Sequence, residues 1–167
     1  AVLCMIGQAP IDVFGPALMI GAAALGFLAW NWHPAKIFLG DVGSVPLGFA
    51  LGWLLFELAR AGQWPAALIL PGYYIADATI TLLRRLVRGE KVWEAHKSHF
   101  YQRAHQRGLS HDQISTRVLY ANMGLIGLAV FAAMGHPASA GVGAVILIGV
   151  LLWHFSTTRG NTVKDGA

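Results

Sequence analysis

An all-α, polytopic membrane helix bundle with about five spans is the fold class this sequence predicts, and three observations predict it. Apolar residues make up 56% of the 167 residues and charged ones only 12%, where a soluble domain keeps roughly 25% charged. The apolar residues fall in runs close to the roughly 20 that a hydrocarbon core requires of a helix. The basic residues gather around one polar segment, Arg84 to Arg117, instead of wetting a whole surface.

Each span has a local justification. Residues 1–9 read as the tail of an earlier span, closed by Gly7-Gln8-Ala9-Pro10. The chain opens on Ala1 inside an apolar stretch, with neither an initiator Met nor a charged leader, and is expected to be the later, C-terminal portion of a single longer integral-membrane domain. Spans are predicted at about 13–30, 43–61, 65–86, 116–134 and 140–157. Trp30, Trp32 and Trp64 stand where interfacial aromatic belts belong. Gly48 and Gly52, four apart, would allow close helix contact. Pro71-Gly72 interrupts the third span, since proline removes a backbone hydrogen bond. Ser110 to Gln113 has capping-box spacing ahead of the fourth span, and Gly108 is placed to stop a short basic helix before it.

Charge sets the expected orientation. Arg84, Arg85, Arg88, Lys91, Lys97, Arg103, Arg107 and Arg117 surround the long polar segment, which the positive-inside rule makes cytoplasmic. Two spans separate it from the first loop, so Lys36 and Asp41 are expected on the same side. The turns at Gly62–Trp64 and Gly135–Ser139 carry no Lys or Arg and fall outside. Cys4 is the only cysteine, which excludes an internal disulfide and a cysteine metal cage.

Four polar groups need a reason. Asp41 follows Gly40 and precedes Gly43-Ser44 at the start of a span; it can cap that helix, as can Ser44. Flanking glycines also admit a phosphate close to backbone, the helix N-terminus attracts one, and a carboxylate there can hold Mg²⁺, which keeps one or two protein carboxylates beside substrate phosphate oxygens. Asp77 lies within a span, where an ionisable group is costly and by default functional; alternatively it pairs with Arg84 or Arg85 along one helix face. Glu57 is a turn from Arg60 and is expected to pair with it. The segment GEKVWEAHKSHFYQRAHQRG, from Gly89 to Gly108, holds His96, Lys97, His99, Arg103 and His105. As a helix it would place His96, His99 and Arg103 on one face. It reads as a membrane-surface helix, as a polyanion site, or as a zinc pair that lacks further ligands at recognisable spacing.

The stretch NWHPAKIFLGDVGSVPLGF resembles the Asn…Pro-Ala…Phe…Gly-Asp-x-Gly-Ser signature of the polyprenyl-phosphate N-acetylhexosamine-1-phosphate transferases. DATITLLRRLVRGEKVWEAHKSH is similar to their later Asp…Arg-Arg…Gly…His segment. The resemblance runs from Asn31 to His99, in order and two spans apart. It implies an enzyme of the bacterial inner membrane with its active-site loops in the cytoplasm. There the phosphate of undecaprenyl phosphate would attack a UDP-N-acetylhexosamine and release UMP. The implied cofactor is Mg²⁺, with Mn²⁺ as a substitute; a homodimer is compatible with the family, and no nucleic acid is expected.

By position, the resemblance makes Asp41 the metal- or nucleotide-site carboxylate and Asn31 the residue ordering its loop, with Gly40, Gly43 and Ser44 beside the substrate. Lys97 and His99 would face the diphosphate, with His96, Arg84 and Arg103 nearby, and Asp77 and Arg85 would brace the site. Two departures stand out. The family's adjacent aspartate pair is absent, for no Asp-Asp occurs in the chain, so the chain by itself is expected to be inactive. The HKSHFYQ sequence, with Phe100, Tyr101 and Gln102 after His99, looks more like the subgroup that initiates O-antigen. A membrane transporter with an intramembrane Asp77 site, and a structural subunit whose loop docks on anionic lipid, are the competing readings.

Overall fold

The computed structural model describes residues 1–32, 34–90 and 99–158. Among these residues every regular element is helical: α1 Val2–Met5, α2 Phe14–Asn31, α3 Gly40–Leu58, α4 Trp64–Ile69, α5 Gly72–Val87, α6 Phe100–Gln106, α7 His111–Ala133 and α8 Pro137–Thr157. Among the described residues four stretches are long and apolar enough to cross a membrane, namely Ile11–Asn31, Gly40–Ile69, His111–Ala133 and Pro137–Thr157. The third expected span, 65–86, is two helices. Leu70 and Pro71 separate α4 from α5, because the proline ring leaves no N–H to continue the ladder.

The apolar surface states which solvent the helices face. α2 has no buried residue, Leu25 is 69% exposed and Phe49 on α3 is 79% exposed. In water such surfaces would drive aggregation; against lipid tails they cost nothing. The protein is a multi-pass membrane helix protein.

The chain divides into two compact units, one of Ala1–Ile69 with Gly127–Gly141 and one of Leu70–Ile126 with Val142–Ala167. In the first, α2 and α3 form a hairpin. At one end the Gln63 side-chain amide donates to Gln8 Oε1 at 2.8 Å, tying the turn after α3 to the segment before α2. Glu57 and Arg60 pair there at 3.1 Å, as their spacing predicts. Gly62, at φ +87°, breaks the helical run between α3 and α4. The Asn31–Gly40 loop lies at the other end. Gly48 and Gly52 have open space where a Cβ would stand, so no other described helix uses them for close approach.

The second unit is built from α5, α6 and parts of α7 and α8. A Cβ on Gly72 would stand 2.9 Å from Ile148 Cδ1, and one on Gly124 would stand 2.8 Å from Leu147 Cδ2. Small residues thus let α5 and α7 close on α8, the usual device where lipid supplies no hydrophobic drive. The Asn122 side chain donates to Tyr74 Oη at 3.0 Å and links α7 to α5. Leu125 and Phe155 are fully enclosed. α6 ends before Gly108, at φ +96°, and the Ser110 N–H donates to Gln113 Oε1 at 3.3 Å at the start of α7, both as the sequence predicts.

The two kinds of glycine should respond oppositely to alanine. Gly62→Ala forces an L side chain into the left-handed region and should cost about 1 kcal/mol, whereas Gly48→Ala removes a flexible helical residue in open space and should be neutral or stabilising by up to about 1 kcal/mol. Thermal unfolding of the two variants in detergent measures the difference.

Candidate functional site

The first polar loop is closed by backbone and side chain together. The last turn of α2 ends with Trp32 N–H donating to Leu28 O at 2.8 Å, and the chain then returns so that Lys36 N–H donates to Trp30 O at 2.9 Å. The Asn31 side chain donates to Ile37 O at 2.8 Å. The Lys36 ammonium lies 5.5 Å from the Trp30 ring centroid, within cation–π range. A buried apolar core is not what shapes this loop. Four local contacts are.

These contacts deliver the chain to Gly40, whose φ of +59° needs glycine, and α3 begins there. Gly43 has a packing reason of its own, since a Cβ would stand 2.7 Å from Leu39 Cγ. Asp41 lies in the first turn of α3 and is exposed, as is Ser44. The residue before the helix is Leu39, and no side chain caps it. Asp41 and Ser44 are therefore not spent on capping, the structural role their position made available.

The second polar cluster belongs to α5. Its buried residues are Tyr73, Asp77, Thr81 and Arg85, one every fourth residue, while Leu82, Leu83, Leu86 and Val87 are exposed. This helix turns a polar stripe inward and an apolar face outward, the reverse of a helix in water. Asp77, only 4% exposed, accepts hydrogen bonds at Oδ1 from the Thr81 hydroxyl at 3.3 Å and the Phe100 backbone N–H at 3.0 Å. His99 Nδ1 lies 3.6 Å from the same oxygen. The pairing of Asp77 with Arg84 or Arg85 that the sequence allowed is not the arrangement found. Arg85 reaches Glu90 Oε2 at 3.1 Å, and Glu90 sits in a turn whose N–H donates back to Arg85 O. The Arg84 guanidinium lies 4.7 Å from the Phe100 ring centroid, and Phe100 is buried.

His99 is not on a helix. Its backbone is extended, at φ −60° and ψ 151°, and α6 starts after it. His99 and Arg103 therefore do not share a helix as the helical reading of the segment would have them do: the His99 N–H donates to Gln102 Oε1 at 3.3 Å, the reciprocal half of a capping arrangement. Arg103 is in α6 and half-buried. At the far end of α6, His105 Nδ1 donates to Leu109 O at 2.9 Å and its ring stacks on His111 with centroids 4.0 Å apart. His96 and Lys97 lie outside the described residues. Among the described residues no three His, Cys, Asp or Glu side chains gather as a metal cage.

Sequence reasoning singled out Asn31, Asp41, Asp77, Arg84, Arg85 and His99, and missed Tyr73 and Thr81. Their signal was present as polar residues four apart, from Tyr73 through Asp77 and Thr81 to Arg85, in an otherwise apolar helix.

Lipid-facing helices, one inward polar stripe and an exposed carboxylate loop define a multi-pass membrane protein with polar chemistry near its helix ends. Comparison with known proteins makes the class specific. Residues 1–59 match the sequence profile described as glycosyl transferase family 4. A probable undecaprenyl-phosphate N-acetylglucosaminyl 1-phosphate transferase of Bacillus subtilis is 34% identical over 124 residues, covering 72% of this chain and 34% of that protein. A phospho-N-acetylmuramoyl-pentapeptide-transferase of Moorella thermoacetica is 37% identical over 79 residues, 47% of this chain and 23% of that protein. A decaprenyl-phosphate N-acetylglucosaminephosphotransferase of Mycobacterium tuberculosis is 26% identical over 168 residues, 89% of this chain and 41% of that protein. No solved structure matches. The chain belongs to glycosyl transferase family 4, and these alignments span less than half the length of each of the three relatives.

Asn31→Ala removes the side-chain donor to Ile37 O, a bond worth about 1 kcal/mol, so amide exchange at Ala35–Phe38 should quicken roughly fivefold. Asn31→Asp, which cannot donate when ionised, should do the same, and hydrogen-exchange mass spectrometry reads both.

Proposed function

We propose that this chain, in its intact protein, serves transfer of an N-acetylhexosamine 1-phosphate from a UDP-sugar to undecaprenyl or another polyprenyl phosphate, starting O-antigen or another cell-envelope glycan. The observation that carries this reading is the ordered pair of motifs, Asn31–Ser44 and Asp77–His99, in a chain of this family. Relatives named for transferring N-acetylglucosamine phosphate to undecaprenyl or decaprenyl phosphate support it. In the proposed reaction a phosphate oxygen of the lipid bonds to the β-phosphorus of the donor. The bond from that phosphorus to the bridging oxygen breaks, and the oxygen leaves with UMP.

Phosphoryl transfer of this kind depends on positioning and on charge held where it develops. Asp41 fits a Mg²⁺ or Mn²⁺ ion that takes one protein carboxylate and completes its shell with water and phosphate oxygens; it is exposed and is not a helix cap. The ion, when bound, would neutralise the diphosphate. Asn31 holds the loop that presents Asp41, and Gly40 and Gly43 keep side chains away from the approaching phosphates. Lys97 and His99 would face the diphosphate as cationic and hydrogen-bonding groups, with His96, Arg84 and Arg103 adding positive charge and Arg85 bracing the turn at Glu90. Both loops are proposed to face the cytoplasm at the bacterial inner membrane, where a UDP-sugar is soluble and the lipid phosphate is at the surface.

Purified full-length protein with Mg²⁺, undecaprenyl phosphate and a UDP-N-acetylhexosamine should release UMP. Asp41→Asn should lower that rate about a hundredfold or more while leaving thermal unfolding unchanged. Wild-type turnover by Asp41→Asn would overturn the assignment of Asp41, and sugar counterflow in liposomes without UMP would point to a carrier instead.

A further inference from the structure

The charge of Asp77 is buried, and its contacts say what it is for. A buried carboxylate is costly unless it is hydrogen-bonded, and this one is placed so that its oxygen meets three groups. Two are donors fixed in space: the Thr81 hydroxyl, one turn along the same helix, and the Phe100 backbone N–H, twenty-three residues away in sequence. The third is His99 Nδ1 at 3.6 Å. The first N–H groups of a helix have no partner within it, and Asp77 supplies one for α6. It thereby fixes the backbone at the residue that follows His99.

Neighbouring contacts reinforce that point. The Phe100 ring is 4% exposed, with the Arg84 guanidinium over its face. The Gln102 side chain holds the His99 N–H. His99 is thus held through its own N–H, through the next residue's N–H and ring, and through a carboxylate facing Nδ1. A carboxylate facing Nδ1 at 3.6 Å gives that edge of the ring a polar neighbour and limits where the ring can turn.

We propose that Asp77, steadied by Thr81, is a positioning residue that pins the His99–Phe100 segment to α5 and so sets the place of the His99 ring, without itself touching substrate. This rests on the reading of His99 as a group that faces the donor diphosphate. It assigns Thr81 a part in the site that its small side chain gave no reason to expect, and it gives the buried charge a task other than carrying an ion.

The test uses the full-length protein in nanodiscs and two readouts. Hydrogen exchange at Phe100–Gln106 should quicken roughly tenfold in Asp77→Ala, which loses a charge-assisted bond. It should stay within about threefold of wild type in Asp77→Asn, whose amide oxygen still accepts, and in His99→Ala, which keeps the Phe100 bond. Thr81→Val retains the carboxylate and should quicken exchange about threefold at the same residues, so the proposal stays testable if Asp77→Ala fails to fold. In turnover, Asp77→Ala should lower kcat at least about tenfold with the KM for the UDP-sugar nearly unchanged, and Asp77→Asn should recover part of the loss. Native exchange at Phe100–Gln106 in both Asp77→Ala and Thr81→Val would overturn the proposal. So would an Asp77→Asn protein with native exchange and turnover as low as Asp77→Ala, because Asp77 would then act on substrate directly. If wild-type protein releases no UMP, the functional reading fails, while the exchange measurements still decide whether Asp77 pins the segment.

Discussion

A charge placed among membrane helices must find partners inside the protein, and that requirement organises the second unit. Asp77 is enclosed by protein and cannot be hydrated, and the chain that follows α5 meets it with a backbone N–H and an imidazole. Arg85 obeys the same rule two turns later, where the Gly89 turn, at φ +68°, returns Glu90 to its guanidinium. Glu90 and Phe100 are thus each held to α5. Desolvation makes these contacts obligatory: a buried ion pair that loses one member leaves a charge uncompensated, at a cost of about 3–5 kcal/mol. Because Glu90 is partly exposed, its share of that cost is smaller than that of a fully buried partner.

The first unit solves a different problem. Its loop carries an acidic residue that must stay accessible, so the support comes from the sides. Asn31 and the Trp30 carbonyl hold the loop backbone, and the Trp30 ring holds Lys36, leaving Asp41 exposed in the first turn of α3. Both units place functional candidates at a change from helix to non-helical backbone, Asp41 after a left-handed glycine and His99 in extended chain before α6. Helix ends have unpaired backbone groups, and a polar ligand meets fewer competing bonds there than along a helix wall.

Particular residues show how far the chain can be read without coordinates. The apolar runs and the glycines at 62, 108 and 135 are local features, and the helices end where such features put them, with φ of +87°, +96° and +99°. Glu57 with Arg60 and Ser110 with Gln113 are three residues apart, so helical geometry alone brings them together. Pro71 marked an interruption, yet it does more than bend a span: α4 ends at Ile69 and α5 is a separate amphipathic helix. His-x-x-His-x-x-x-Arg fits a helix face, whereas His99-x-x-Gln102 is also a capping pattern, and at His99 the backbone follows the second.

Membrane insertion, the long apolar helices and the places where the chain turns follow from the sequence by itself, since each depends on composition or dihedral preference within a few residues. Which group neutralises which was decided only by the tertiary structure. Asp77 had two arginines close along its own helix and took a backbone N–H from residue 100, because in a low-dielectric interior the choice goes to whatever donor packing brings within 3 Å. That approach depends on how α6 returns to α5, and no count along the chain contains it.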